Sequence, residues 1–219
     1  MSIVNGFYTV RLVFSKTGRA RYISHLDLNR TMARVLRRAG IPLWYTEGFN
    51  KHPYITFAAP LSLGCESLCE RMDFRLTDET LSMDEIVARV NKAMPEGLQA
   101  ISAAEAVRKM SAVGFAKYRL QLSCDRGIVG AFLEQPSIEV EKKTKKKGGV
   151  LTVDIKPHLQ IEEIKGETAT ELTAILPCSN ETTVNPTLLL TARSAFAGRE
   201  IKASSLRLEL YDIDGEIFA

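Results

Sequence analysis

Residues 8–42 read YTVRLVFSKTGRARYISHLDLNRTMARVLRRAGIP, and a change of period inside this stretch decides the fold class. Tyr8, Val10, Leu12 and Phe14 recur every second residue, the period of a strand with one face buried. Lys16-Thr17-Gly18 supplies a turn. Beyond Ser24 the apolar positions become Leu28, Met32, Val35, Leu36 and Ala39, which fall on one side of a helix. Ser24 with Asp27 three residues later is a capping box with a shortened acid, and Gly40-Ile41-Pro42 stops the helix. A strand leading directly into an amphipathic helix places the chain among mixed α and β proteins.

Working outward, residues 43–63 are rich in aromatics, Gly and Pro and read as short extended pieces around an irregular loop at Gly48-Phe49-Asn50. Met72, Phe74 and Leu76 alternate as a strand, Ser82 and Glu85 cap a helix carrying Ile86, Val87, Val90 and Met94, and Pro95 and Gly97 end it before a strand over 98–102. The order begins again near Phe115. Tyr118, Leu120 and Leu122 form a strand, 128–133 a short helix, and Ile138-Val140 with Leu151-Val153-Ile155 a hairpin around 142–149. Leu172-Ala174-Leu176 is a further strand, Asn185-Pro186 opens a helix running through Phe196 to Gly198, and Leu206-Leu208-Leu210 closes the chain. Element order alone predicts an α+β protein of tandem ferredoxin-like (βαββαβ) domains, antiparallel sheets with helices on one face, divided into 1–111 and 112–219. No residue-level repeat accompanies the repeated order.

The 219 residues, 45% hydrophobic and 25% charged, have the composition of an ordinary globular chain, which excludes fibrous and disordered classes. No apolar run reaches the roughly 20 residues of a spanning helix, and the first residues read as a strand rather than a signal segment, so a cytoplasmic protein is expected. Cys65, Cys69, Cys124 and Cys178 form no CxxC pair, which predicts reduced, mostly buried thiols and neither a disulfide framework nor a metal site. Cys65-x3-Cys69 begins an iron–sulfur spacing, but Met72 stands where the third thiolate belongs. Glycine-rich phosphate loops and hydrolase motifs are missing as well, and no cofactor is expected.

The formal charge is only +3, yet residues 1–60 hold nine Lys and Arg against two acids. That asymmetry is the footprint of a polyanion-binding surface. Arg30, Arg34, Arg37 and Arg38 fall on the helix face opposite the apolar stripe, where guanidinium forks match phosphate oxygens. The loop after the helix interleaves Trp44, Tyr45, Phe49, Tyr54 and Phe57 with Asn50, Lys51 and His52, rings to stack on unpaired bases and cations to hold a backbone. Trp44, Ile55 and Phe57 are expected to pack beneath the helix, whereas Gly48-Phe49-Asn50-Lys51-His52-Pro53 is too polar for a core and is the candidate contact loop. His25, beside Tyr22 in the first helical turn, is a candidate general base for metal-independent RNA cleavage, although the wheel puts it toward the apolar side, as a structural residue would be. The Lys-rich run 142–147 reads as a solvated hairpin tip.

Three motifs, Arg21-Tyr22-Ile23-Ser24-His25-Leu26-Asp27-Leu28, Arg37-Arg38-Ala39-Gly40-Ile41-Pro42, and Gly48-Phe49-Asn50-Lys51-His52-Pro53 followed by Pro60-Leu61-Ser62-Leu63-Gly64, together resemble the bacterial radical-SAM-linked family. That is a domain of unknown function found alone or at the C-terminal end of radical-SAM proteins. Val153-Asp154-Ile155-Lys156-Pro157 is similar to the same family, while Lys51 replaces the proline expected after Gly-Phe-Asn. The resemblance implies a partner enzyme more than an activity. A weaker likeness in element order and an N-terminal His is to CRISPR repeat-processing endoribonucleases, whose C-terminal glycine-rich loop is missing here. The expectation is an RNA-recognition module presenting tRNA or rRNA to a separate radical-SAM modification enzyme, with an endoribonuclease using His25 and Tyr22, or a protein-binding adaptor, as alternatives.

Overall fold

The computed structural model describes residues 6–143 and 149–219. The chain is an α+β protein that divides into two compact units, one ending at Val113 but including Phe218–Ala219, the other Gly114–Ile217. In the sequence reading the last two residues belong to the second domain.

The first unit is built in the order β1 (Tyr8–Lys16), α1 (His25–Arg38), β2 (Ile55–Phe57), β3 (Glu66–Leu76), α2 (Met83–Ala93) and β4 (Leu98–Glu105). Its strands lie in the order β4-β1-β3-β2, with every pair antiparallel. Val10 faces Phe74 and Leu12 faces Met72 across the β1/β3 ladder. Their side chains share one pleat face and meet Leu28, Met32, Val35 and Leu36 of α1 and Ile86 and Val90 of α2 in one buried cluster. The alternation read from the sequence is therefore the packing face of the sheet.

Both ends of α1 follow from local chemistry. Ser24 Oγ accepts the Asp27 N–H at 3.1 Å and donates to the Asp27 carboxylate at 2.7 Å. At the other end Gly40, at φ +64, lets its own N–H reach the Arg37 carbonyl and the Ile41 N–H reach that of Leu36, the paired closure of a Schellman motif. Ser24→Ala is expected to cost about 1 kcal/mol, read as a fall in the urea midpoint. A loss below about 0.3 kcal/mol would show that the cap is redundant.

The opposite face of β1/β3 is polar yet buried. Arg11 stands directly across from Asp73 and forms a bidentate pair, Nε to Oδ1 and Nη2 to Oδ2 at 2.8 Å each. The guanidinium also donates to the carbonyls of Arg108 and Ala219, and the Phe218 ring centroid lies 4.4 Å from its Cζ. Arg71 Nε holds the Phe218 carbonyl at 3.0 Å. These contacts explain why Phe218, fully buried, joins the first unit.

The second unit comprises β5 (Val113–Leu122), α3 (Arg126–Glu134), β6 (Glu139–Lys143), β7 (Val150–Asp154), β8 (Gln160–Lys165), β9 (Thr170–Pro177), α4 (Pro186–Phe196) and β10 (Ala203–Asp212). Four of its strands run in the order β10-β5-β9-β8, and β6 and β7 form a separate two-stranded sheet. The sequence reading omits β8. Its QIEEIK segment lacks clean alternation because the register slips between Ile161 and Glu163, so Glu162 and Glu163 are both exposed. The expected lysine tip lies largely at 144–148, outside the described residues; Lys142 itself donates to the Thr183 carbonyl at 2.6 Å. At the base of the hairpin, Asp154 Oδ1 accepts the N–H groups of Ile138 and Lys156, which hold its carboxyl below the usual range. That clip gives the Val153-to-Pro157 motif a structural task.

Candidate nucleic-acid interface

Amphipathicity puts Arg30, Arg34, Arg37 and Arg38 on the exposed side of α1 while Leu28, Met32, Val35 and Leu36 are buried. The four are not equally available. Arg30 Nη1 lies 3.3 Å from Asp27 Oδ1 in an exposed pair, a weak interaction in water. Arg38 Nη2 donates to the Ala93 carbonyl at 2.7 Å, at the end of α2 where a cation suits the helix dipole. There it joins Arg89 and Lys92 around a shallow recess of about 370 Å³. Arg89 is held by Glu85, with Nε to Oε1 at 3.0 Å. Arg34 and Arg37 have no carboxylate partner among the described residues. The stripe seen as a single signal on the wheel thus separates into Arg30 and Arg38, each with a partner in its own chain, and Arg34 and Arg37, which have no carboxylate partner among the described residues.

Arg37 leads to the contact loop, its Cζ 6.0 Å from the Tyr45 ring centroid. The loop is a small hairpin. Tyr45 bridges Pro53, the Thr46 N–H donates to the His52 carbonyl at 2.9 Å, and the Trp44 N–H donates to the Arg75 carbonyl of β3 at 2.9 Å. Gly48 takes φ +116 at the tip, a backbone that side-chain-bearing residues rarely adopt. Gly48 to His52 are exposed and Phe49 is 108% exposed, touching nothing that would shield its ring. Pro53, grouped with the polar tip in the sequence reading, is buried because it pairs with Tyr45 at the hairpin base. His52 Nδ1 lies 2.9 Å from the Asn50 carbonyl, which only accepts; a proton on Nδ1 satisfies that bond and leaves Nε2 as an acceptor. Ile55 and Phe57 pack partly buried against the core, and Trp44 is half-buried.

His25 is exposed, contrary to its position on the wheel, because the buried stripe begins one turn later at Leu28. Its ring stands edge-on to Phe57 with centroids 5.4 Å apart. Among the described residues no hydrogen bond reaches its imidazole, and Tyr22 OH accepts instead from Arg21 Nη2 at 2.9 Å. Among the described residues no carboxylate or other polar group orients the His25 ring, which rests on Phe57 alone. Two of the sequence motifs do meet here, since the Gly64 N–H donates to the Arg21 carbonyl at 2.9 Å. Tyr22, Leu26 and Leu63 are all exposed.

All four cysteines are free thiols, three of them buried, and the described residues contain no His, Cys, Asp and Glu grouping that would hold a metal. Burial pushes the Cys178 thiol up to about 11, so it stays protonated at neutral pH. No described helix is long and apolar enough to cross a membrane.

Sequence reasoning missed the surroundings of Arg75. Its Cζ lies 3.8 Å from the ring centroids of Phe7 and Tyr54 and 5.1 Å from that of Trp44. Aromatic residues in the loop were a signal, but their shared target on β3 is set by the ladder and is invisible in local spacing.

Residues 9–186 match the family model described as an uncharacterised protein conserved in bacteria (DUF2344). No curated protein matches. Among solved structures the chain is similar to the crystal structure of an unknown protein from Galdieria sulphuraria, at 12% identity over 92% of this chain and 98% of that one, with a TM-score of 0.27.

Proposed function

The chain belongs to this family of uncharacterised proteins conserved in bacteria (DUF2344), and from that premise we propose that it is an RNA-recognition module presenting a tRNA or rRNA to a separate radical-SAM modification enzyme. One observation carries the reading: a fully exposed aromatic ring, Phe49, stands at the tip of a hairpin whose Tyr45 meets Arg37, and Arg34 and Arg37 lack carboxylate partners among the described residues. A ring that buries nothing in its own protein is suited to a base, and adjacent guanidinium groups are suited to the phosphates on either side. Asn50, Lys51 and His52 supply the polar contacts around that ring. The radical-SAM partner rests on the motif resemblance of residues 21–28, 37–42 and 48–64.

The tandem ferredoxin-like architecture belongs to the same proposal. Strand orders support it. The first unit has β4-β1-β3-β2, and the second has β10-β5-β9-β8, which is the same order once the β6/β7 hairpin is treated as an insertion.

Binding of the full chain to single-stranded and hairpin RNA across a salt series tests the function. Each phosphate contact on a single strand contributes a slope of roughly −0.7 in log K against log salt, so Arg34→Glu with Arg37→Glu is expected to flatten the slope by about 1.4 while weakening binding. Phe49→Ala is expected to cost about 1–3 kcal/mol of affinity with the slope little changed, because stacking releases few ions. Wild-type protein that melts cooperatively yet binds no RNA at low salt overturns the proposal, and so does a double reversal that leaves both affinity and slope intact. The basic face then serves a protein partner.

A further inference from the structure

Asp73 and Arg75 lie on the face of β3 opposite the one that packs on the helices, and a recess of about 420 Å³ opens beside them. That volume is within the range of small-ligand pockets. Its walls include Tyr54, Thr56, Arg75, Arg108, Lys109 and Ser111. Asp73 is the carboxylate on the wall, and both its oxygens are engaged by Arg11. Arg75 and Lys109 bring one guanidinium and one ammonium to the recess. Aromatic rings crowd Arg75 but supply no acceptor, and its Nε–H, shielded from solvent, meets no acceptor among the described residues. A shielded donor of this kind calls for a partner. The rings also hold the planar fork in place, which lowers the entropy lost when its edge grips an oxyanion.

We propose that this recess binds a phosphomonoester, with the terminal phosphate held by Arg75 and Lys109 and the organic group filling the remaining volume beside Tyr54 and Thr56. Tetrahedral phosphate accepts from several directions at once, matching cationic donors and hydroxyls that line different walls. Bare phosphate leaves most of the volume empty. The site is separate from the RNA-binding residues of α1 and the hairpin tip. Its ligand comes from one of two sources, a free small ester or the 5′-phosphate of an RNA.

The full chain is titrated with adenosine 5′-monophosphate and adenosine, and with a short oligoribonucleotide carrying either a 5′-phosphate or a 5′-hydroxyl. Binding of the monophosphate but not adenosine supports a free ester, and preference for the phosphorylated oligonucleotide alone supports an RNA end. In either case Arg75→Lys, which keeps the charge but loses the planar fork, is expected to weaken the phosphate-dependent binding by about tenfold or more. Arg34→Glu with Arg37→Glu leaves the preference for phosphate in place, which separates this site from the proposed RNA interface. Should Arg75→Lys fail to melt cooperatively, Lys109→Glu, at an exposed position, is expected to weaken the same binding by about tenfold. Wild-type protein that binds neither phosphorylated probe, or binds adenosine as well as its monophosphate, overturns the proposal. Affinity unchanged in the folded variants overturns it equally.

Discussion

Replacing Asp73 by Ala is expected to destabilise the first unit by about 3–5 kcal/mol, because Arg11 is left charged, buried and without its carboxylate. The two side chains are 8% and 2% exposed, so water cannot take over the role of the missing oxygens. Arg11 then keeps only the Arg108 carbonyl and the Ala219 backbone oxygen as acceptors, and neither repeats the bidentate grip of Asp73. Trp44, the single tryptophan, lies in this unit and reports its unfolding in a urea titration. Arg11→Met combined with Asp73→Ala should cost less than the sum of the two single changes, since a vacated pair no longer contains an orphaned charge. A loss under about 1 kcal/mol for Asp73→Ala would show that the pair is solvated in solution and contributes like a surface bridge.

Phe14→Ala is expected to cost about 3–5 kcal/mol by leaving a cavity in the centre of the first core. Phe14 is fully buried, and its ring meets Phe57 edge to face with centroids 6.3 Å apart. Phe57 in turn presents its ring to His25. The substitution should therefore be felt beyond the core. With Phe57 free to turn, the ring-current shift on the His25 ring protons is expected to collapse toward the value of an isolated imidazole. Urea unfolding gives the first quantity and proton NMR of the folded variant the second. An unchanged His25 spectrum would mean that Phe57 is held by β3 alone.

The parts of this molecule that were legible in sequence are those whose cause is local. The strand 8–16 and the helix 25–38 follow from period, from the Ser24 cap and from the Gly40 turn, all set within a few residues. The exposed tip at 48–52 follows from its polarity and its glycine. Arg11 and Asp73 illustrate the opposite case. Charges at alternate positions of a strand signal a solvated face, yet here residues 108 and 218–219 cover that face and turn the two charges into a buried pair. A helical wheel contains no second helix, so the Ala93 carbonyl that Arg38 meets is not legible in it. β8 is not legible in the sequence because a bulge shifts its side-chain phase, and an alternating pattern depends on phase. The Arg75 cluster draws Phe7, Trp44 and Tyr54 from three separated places in the chain.

The return of Phe218 to Arg11 has a consequence for how the protein is made. Synthesis runs from the N-terminus, so the ribosome delivers β1 through β4, then the whole of Gly114–Ile217, and only afterwards the ring that lies over the Arg11 guanidinium and the backbone carbonyls that Arg11 and Arg71 hold. A nascent first unit can pair Arg11 with Asp73, but its polar face stays open until translation has passed the second unit. The unit made first is thus completed last.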